Sequence, residues 1–180
     1  YYTAYLTSHY PEEFYCELLN NSINNTDKLF IILSEISSQN IEVIPPDINI
    51  SDSKFTINKN KILYGLSALK GVGEESMIEL VSNRKEKGTY KSLVDFNKRL
   101  SRSVLNKRQI EKLILSNSFK SIHKDISMLF SNVETIIQKK DENSLFSDED
   151  DSQFFLNKKI IKIDQIDAEF ESYGFLYSQK

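Results

Sequence analysis

Leu69-Lys70-Gly71-Val72-Gly73-Glu74 carries the residue types best suited to gripping an anion. Glycine takes positive φ at little cost and lets another molecule's backbone come close. A turn built on Gly71 and Gly73 therefore exposes backbone N–H groups. A helix starting at Glu74, with Ser76 in its first turn, adds unpaired N-terminal amides of its own. Val72 can drop between the flanking helices as a plug, and Lys70 places a full positive charge beside the turn. The chemistry implied is non-covalent binding of a phosphate. A Gly-x-Gly pair alone is a weak signal. The longer run, apolar segment, Lys-Gly-Val-Gly, acidic helix start, then apolar periodicity, strengthens it. The alternative for the same residues is a helical hairpin that only packs or binds protein.

Two elements must hold this turn. Tyr64 to Leu69 supplies an apolar segment before it. Behind it Met77, Ile78, Leu80 and Val81 mark one face of a helix running to about Arg84. Together they predict a helix-hairpin-helix. Lys87-Gly88-Thr89-Tyr90 stops that helix. Two more follow, Ser92–Leu100 with Leu93, Phe96 and Leu100 inward, and Asn106–Leu115 with Ile110, Leu113 and Ile114 inward. Lys98, Arg99, Arg102, Lys107 and Arg108 are expected to stay exposed around the turn between them and to join Lys70, Gly71, Val72, Gly73 and Ser76 as phosphate-binding residues.

Charge segregates along the chain. Residues 1–55 are net −6, residues 56–124 net +9 and residues 125–180 net −6, within an overall −3. A basic block centred on the glycine turn is the footprint of a phosphate-binding face. The segments suggest three units: 1–55, a helix-hairpin-helix module over 56–124, and a helical tail over 125–180 with an acidic linker around 139–156, where Asp148-Glu149-Asp150-Asp151 forms a block.

The fold class expected is mainly α with a small β-hairpin. In the N-terminal part, Tyr2, Tyr5 and Leu6 lie on one helical face, and Pro11 with Glu12 and Glu13 starts a second helix. Asn25 or Thr26 caps a third, with Leu29, Ile32, Leu33 and Ile36 at i, i+3, i+4, i+7 spacing. Ile41 to Ile44 is a short strand, ended by Pro45-Pro46. Lys54–Ile57 and Lys61–Tyr64 flank an Asn58-Lys59-Asn60 turn. After residue 122 come a helical run carrying Ile126, Leu129, Phe130, Val133, Ile136 and Ile137, and a last helix with Ile163, Ile166 and Phe170 inward, ending at Gly174.

Other chemistries find little support. Cys16 is the lone cysteine and sits among Phe14, Tyr15, Leu18 and Leu19, which favours a buried thiol in a reducing compartment. His9 and His123 lack Cys or paired-carboxylate partners, so no metal site is expected. No signal peptide and no apolar run of membrane-spanning length is evident. The chain opens on Tyr-Tyr without a methionine, as a piece of something longer would.

Several separated runs resemble one family in order. Tyr1-x-Thr-Ala-Tyr-Leu, His9-Tyr10-Pro11-x-Glu13-Phe14, Asn25-Thr26-Asp27-Lys28, Pro45-Pro46-Asp47-Ile48-Asn49-x-Ser51 and Phe55 resemble the end of the fingers domain of the DNA polymerase III alpha subunit, the bacterial replicative polymerase. Tyr64-Gly65-Leu66-x-Ala68-Leu69-Lys70-Gly71-Val72-Gly73-Glu74 and Asn106-Lys107-Arg108-x-x-Glu111-Lys112-Leu113-Ile114 are similar to its helix-hairpin-helix region. Ser144-Leu145-Phe146 and Glu169-Phe170-Glu171-x-x-Gly174-Phe175 resemble a weaker pattern further on. The resemblance implies a cytoplasmic fragment of a nucleotidyltransferase, a helical fingers segment followed by the module that grips duplex DNA without reading bases. Its partners would be duplex DNA, the other parts of the alpha subunit and the holoenzyme. The family's palm carboxylates, which hold divalent metal (magnesium), precede this stretch. The fragment alone is therefore expected to be inactive and to hold no cofactor.

Departures from the family pattern are local. Tyr2 stands where the family usually has Gln, and Thr7 where it has Lys. The family's Ala-Gly-Ala-Phe-Asp reads Ser116-Asn117-Ser118-Phe119-Lys120 here, with Asn117 expected to take the left-handed turn in place of glycine. The competing functions are a helical protein-interaction module shielded by its acidic ends, and a repair-type helix-hairpin-helix factor. A split or degraded gene product is the alternative origin.

Overall fold

The computed structural model describes residues 2–101, 103–138, 151–156 and 159–179. Three helices open the chain: α1 (Tyr2–His9), α2 (Pro11–Asn21) and α3 (Thr26–Ser38). Pro11 sits in the first turn of α2 with Glu12 and Glu13 behind it, and Tyr15, Cys16 and Leu19 are its buried face. Asn25 caps α3 by accepting from the Lys28 amide at 3.0 Å. Leu29, Leu33 and Ile36 of α3 are buried. α1 buries nothing, and Tyr2 stays 82% exposed. Cys16 is a core thiol that donates to the Phe55 carbonyl at 3.3 Å, and burial pushes its pKa up.

β1 (Val43–Ile44), β2 (Thr56–Asn58) and β3 (Lys61–Leu63) form one small sheet in the order β1-β3-β2. The expected hairpin is β2 and β3, joined through Lys59 and Asn60 at φ 51° and 61°. Positive φ at both central residues is what a tight hairpin of matching twist requires. β1 joins as a parallel neighbour, Val43 opposite Ile62 and Ile44 opposite Leu63, a pairing that its two residues do not announce.

The apolar segment before the glycine turn is shorter than a helix. Leu66–Ala68 makes a single 3-10 turn, after which the chain reaches Gly71-Val72-Gly73 and enters α4 (Glu74–Lys87). Met77, Leu80 and Val81 of α4 are buried, whereas Ile78 is 46% exposed, so the inward stripe is narrower than the apolar spacing suggested. Gly88 ends α4 at φ 85°. α5 (Leu93–Arg99) and α6 (Lys107–Leu115) match the two helices expected there. Ser92 caps α5 and Asn106 caps α6, the latter in a reciprocal capping box with Gln109. Asn117 takes φ 60° in place of the family's glycine, as expected.

The helical run after residue 122 is two short helices, α7 (Ile126–Ser131) and α8 (Val133–Gln138). Most of the expected acidic linker lies outside the described residues, but Asp151 is no solvated charge. Its carboxylate accepts from the Leu93 and Val94 amides at 3.1 Å each, and Phe154 is fully buried. α9 (Gln165–Tyr173) ends at Gly174 with φ 84°, but its inward face is not the expected one. Ile166 and Phe170 are 59% and 56% exposed, while Ala168, Ser172 and Tyr173 are buried, and α9 packs on α6. The C-terminal strip then returns to the sheet. Tyr173 and Tyr177 stack at 4.7 Å and both meet the Tyr64 ring edge-on. One hydrophobic cluster runs from Tyr15 through Leu69, Val72 and Phe96 to Tyr177.

Pro45-Pro46-Asp47-Ile48-Asn49 leads into a polar joint. Asp47 accepts from the Asn49 amide and from both the amide and the hydroxyl of Ser121. Asn49 pairs with the Tyr90 backbone in both directions, at 2.9 and 2.7 Å. Arg84 of α4, 8% exposed, donates to the carbonyls of Ile48 and Ser51 at 2.7 and 2.6 Å and to Asp52 at 3.1 Å. These bonds tie the loop to α4, to Tyr90 ahead of α5 and to Ser121 beyond α6.

Candidate nucleic-acid interface

Gly71 and Gly73 both lie at positive φ, 80° and 76°, which an L side chain rarely adopts. Both are exposed, as is Lys70, while Val72 between them is fully buried in the core. The plug expected of Val72 is thus in place, with its flanking residues outside. The Lys70 amide is spoken for: it donates to the Ser172 carbonyl at 2.7 Å. No described residue accepts from the amides of Gly71 or Gly73. A cleft of about 230 Å³ opens beside the turn, lined by Asn24, Thr26, Ser67, Lys70, Gly71 and Gly73. Ser67 Oγ is shielded there and bonds to no described residue.

The start of α6 is built against this turn. Gln109 Nε2 donates to the Val72 carbonyl and, at 3.0 Å, to Ser76 Oγ, while its Oε1 accepts from the Asn106 amide. Ser76 therefore serves as an acceptor for Gln109 in the first turn of α4. A β-carbon added at Gly71 would stand 4.0 Å from Arg108 Nε, which puts the exposed Arg108 guanidinium beside the glycine turn. Gln109 is the residue that sequence reasoning missed. Its signal was the Asn106-x-x-Gln109 spacing of a capping box, but nothing in that spacing says that the same amide reaches another helix.

Of the expected site residues, Lys70, Gly71, Val72, Gly73, Ser76 and Arg108 come together here. Lys98 is exposed on α5. Arg99 departs from expectation. Its side chain is only 13% exposed, paired with Asp95 at 2.7 Å, donating to the Gly88 and Thr89 carbonyls, and lying 5.1 Å over the Tyr90 ring. Its place is a helix-end clamp, because Asp95 four residues earlier and the α4 C-terminus offer acceptors within reach. Lys107 reaches Glu134 of α8 at 2.6 Å. Arg102 lies outside the described residues. Lys112, counted in the basic block, is 8% exposed and bonds the carboxylate and carbonyl of Glu171 at 2.6 and 2.8 Å. The basic block thus divides into cations that stitch the fold and cations at the turn. Among the described residues, no group of three His, Cys, Asp or Glu could hold a metal ion, and no helix is long and apolar enough to cross a membrane.

An exposed glycine turn leading into α4, with the start of α6 bonded to it, defines a class. A helix-hairpin-helix motif profile matches residues 40–129, half of the chain, and the chain belongs to that family. It is also similar, in one collinear stretch, to the DNA polymerase III subunit alpha. The subunit from Neisseria meningitidis serogroup A is 36% identical over 145 residues, that from Buchnera aphidicola subsp. Schizaphis graminum 35% over 144, and that from Deinococcus radiodurans 39% over 119. These alignments cover 80%, 79% and 66% of this chain but only 13%, 12% and 9% of the relatives. The resemblance carried by the sequence motifs is borne out, and the chain corresponds to a small part of those proteins.

Proposed function

We propose that this segment binds duplex DNA through its phosphate backbone, without reading bases, in the service of DNA-templated DNA synthesis. The observation that carries this is the turn with Gly71 and Gly73 exposed on either side of the buried Val72, their amides available and Lys70 and Arg108 beside them. A phosphate oxygen there would accept from turn amides at the N-terminal end of α4, where the helix dipole favours negative charge. The two cations would add attraction without preference for sequence. Lys98 would widen the basic surface, with Arg102 a further candidate; Lys107 is neutralised by Glu134 and Arg99 acts by holding α5. The unit that does this work is residues 56–124.

The wider setting extends from the relatives. The polymerase activity, its magnesium and its holoenzyme contacts would belong to the other parts of an alpha subunit in the cytoplasm, and this segment alone would incorporate no nucleotide. Its contribution would be grip on the duplex.

Filter binding of a random-sequence duplex tests the proposal. Lys70→Glu is expected to weaken binding by about tenfold at low salt. A site of two or three phosphate contacts should lose about 10- to 40-fold in affinity between about 50 and 200 mM salt, because each contact releases counterions. Affinity indifferent to both changes would rule the proposal out.

A further inference from the structure

A carboxylate stands beside the cations of the glycine turn. Glu171 lies in the last turn of α9, and the bond from the Lys70 amide to the neighbouring Ser172 carbonyl fixes that turn against the hairpin. The Glu171 side chain is 62% exposed, whereas that of Lys112 beneath it is 10% exposed. The pair is therefore a surface carboxylate seated on a buried ammonium. The hydrogen bond and charge of Lys112, with the charges of Lys70 and Arg108 beyond, hold the Glu171 carboxyl below the usual carboxylate range. It is ionised wherever DNA would be bound.

Resting on the DNA-binding reading above, we infer that Glu171 sets the affinity of the turn, as a resident counter-charge that a phosphate must bind beside. Its negative charge cancels that of Lys112 and lowers the potential around Lys70 and Arg108. A phosphate held by those two cations meets a like charge nearby, so the grip is weaker than the basic residues alone would give. A duplex that must slide through the site as synthesis advances is served by such a grip.

The test uses the 180-residue chain, a random-sequence duplex and four proteins: wild type, Glu171→Gln, Glu171→Asp and Lys70→Glu. Glutamine keeps an oxygen for Lys112 and the backbone acceptor is untouched, so the hydrogen bonds survive while the charge goes. Glu171→Gln is expected to bind about three- to tenfold more tightly at about 50 mM salt, with the gain shrinking as salt rises. Glu171→Asp, which keeps the charge, should stay within about twofold of wild type. Melting curves confirm folding, and Glu171→Ala is the second charge-removing variant should glutamine fail to fold. A residue that only pins α9 to α6 would lower the melting temperature and leave affinity unchanged. Unchanged or weaker binding by the charge-removing variants, with Lys70→Glu still weakening it, overturns the inference and leaves the binding proposal standing. If wild type shows no salt-dependent binding and Lys70→Glu changes nothing, the binding proposal itself falls.

Discussion

Replacing Arg84 with methionine is expected to cost the fold about 3 kcal/mol, although Arg84 belongs to the basic block by sequence. Its guanidinium holds two carbonyls of the 48–51 loop at 2.7 and 2.6 Å in a buried setting. Each carbonyl left without a donor costs about 1–2 kcal/mol, since little water can reach it. The Asp52 contribution is discounted, because that carboxylate is 31% exposed and keeps Lys85 at 3.3 Å. Methionine matches the length of the stem, so the loss isolates the polar head. Arg84→Lys should recover only part of it, because one ammonium cannot reproduce the planar fork that spans two carbonyls and a carboxylate. Urea unfolding measures both. A loss below about 1 kcal/mol for Arg84→Met would mean that the loop does not depend on this residue.

Gly65→Val is expected to destabilise by about 3 kcal/mol or more, for a different reason. Gly65 has φ −75° and ψ 131°, which any residue adopts, so no conformational strain is involved. A β-carbon there would fall 2.6 Å from the Lys54 carbonyl carbon and 2.7 Å from the Phe55 nitrogen. Both are backbone atoms and cannot rotate away. The segment after Gly65 is sewn to the same stretch by Leu66 N to Asp52 O at 3.0 Å and Ser67 N to Ser53 O at 2.9 Å. Forcing the strands of chain apart therefore breaks the support from which the glycine turn hangs. Gly65→Ala should already show most of the loss in a thermal melt. An alanine variant melting with wild type would contradict the close approach.

These two residues also mark where sequence reasoning ran out. Local chemistry was legible: Pro11 starting α2, a cap for α3 at Asn25 or its neighbour Thr26, Gly174 ending α9, and Asn117 taking the left-handed turn. Each depends on neighbours within a few residues. Tertiary decisions were not legible. The parallel partner of β3 is a two-residue strand, too short to show a period. In α9 the apolar spacing of Ile166 and Phe170 pointed one way, but close packing on α6 selected the small face of Ala168 and Ser172. Arg84 and Lys112 look identical to Lys70 in a charge count, and only the acceptors brought from distant segments separate them. For the site itself, the turn and its cation were visible in Lys70-Gly71-Val72-Gly73, whereas Gln109 and Glu171 reach it from 36 or more positions away along the chain.

Duplex DNA is expected to seat a phosphate on the amides of the glycine turn. Backbone amide resonances of the isotope-labelled chain, followed as random-sequence duplex is added, test it most directly. Gly71 and Gly73 are expected to show the largest shifts, reduced in Lys70→Glu and reversed by salt, while the amides of α1 stay in place. Binding that moves resonances elsewhere and leaves Gly71 and Gly73 unchanged would contradict it.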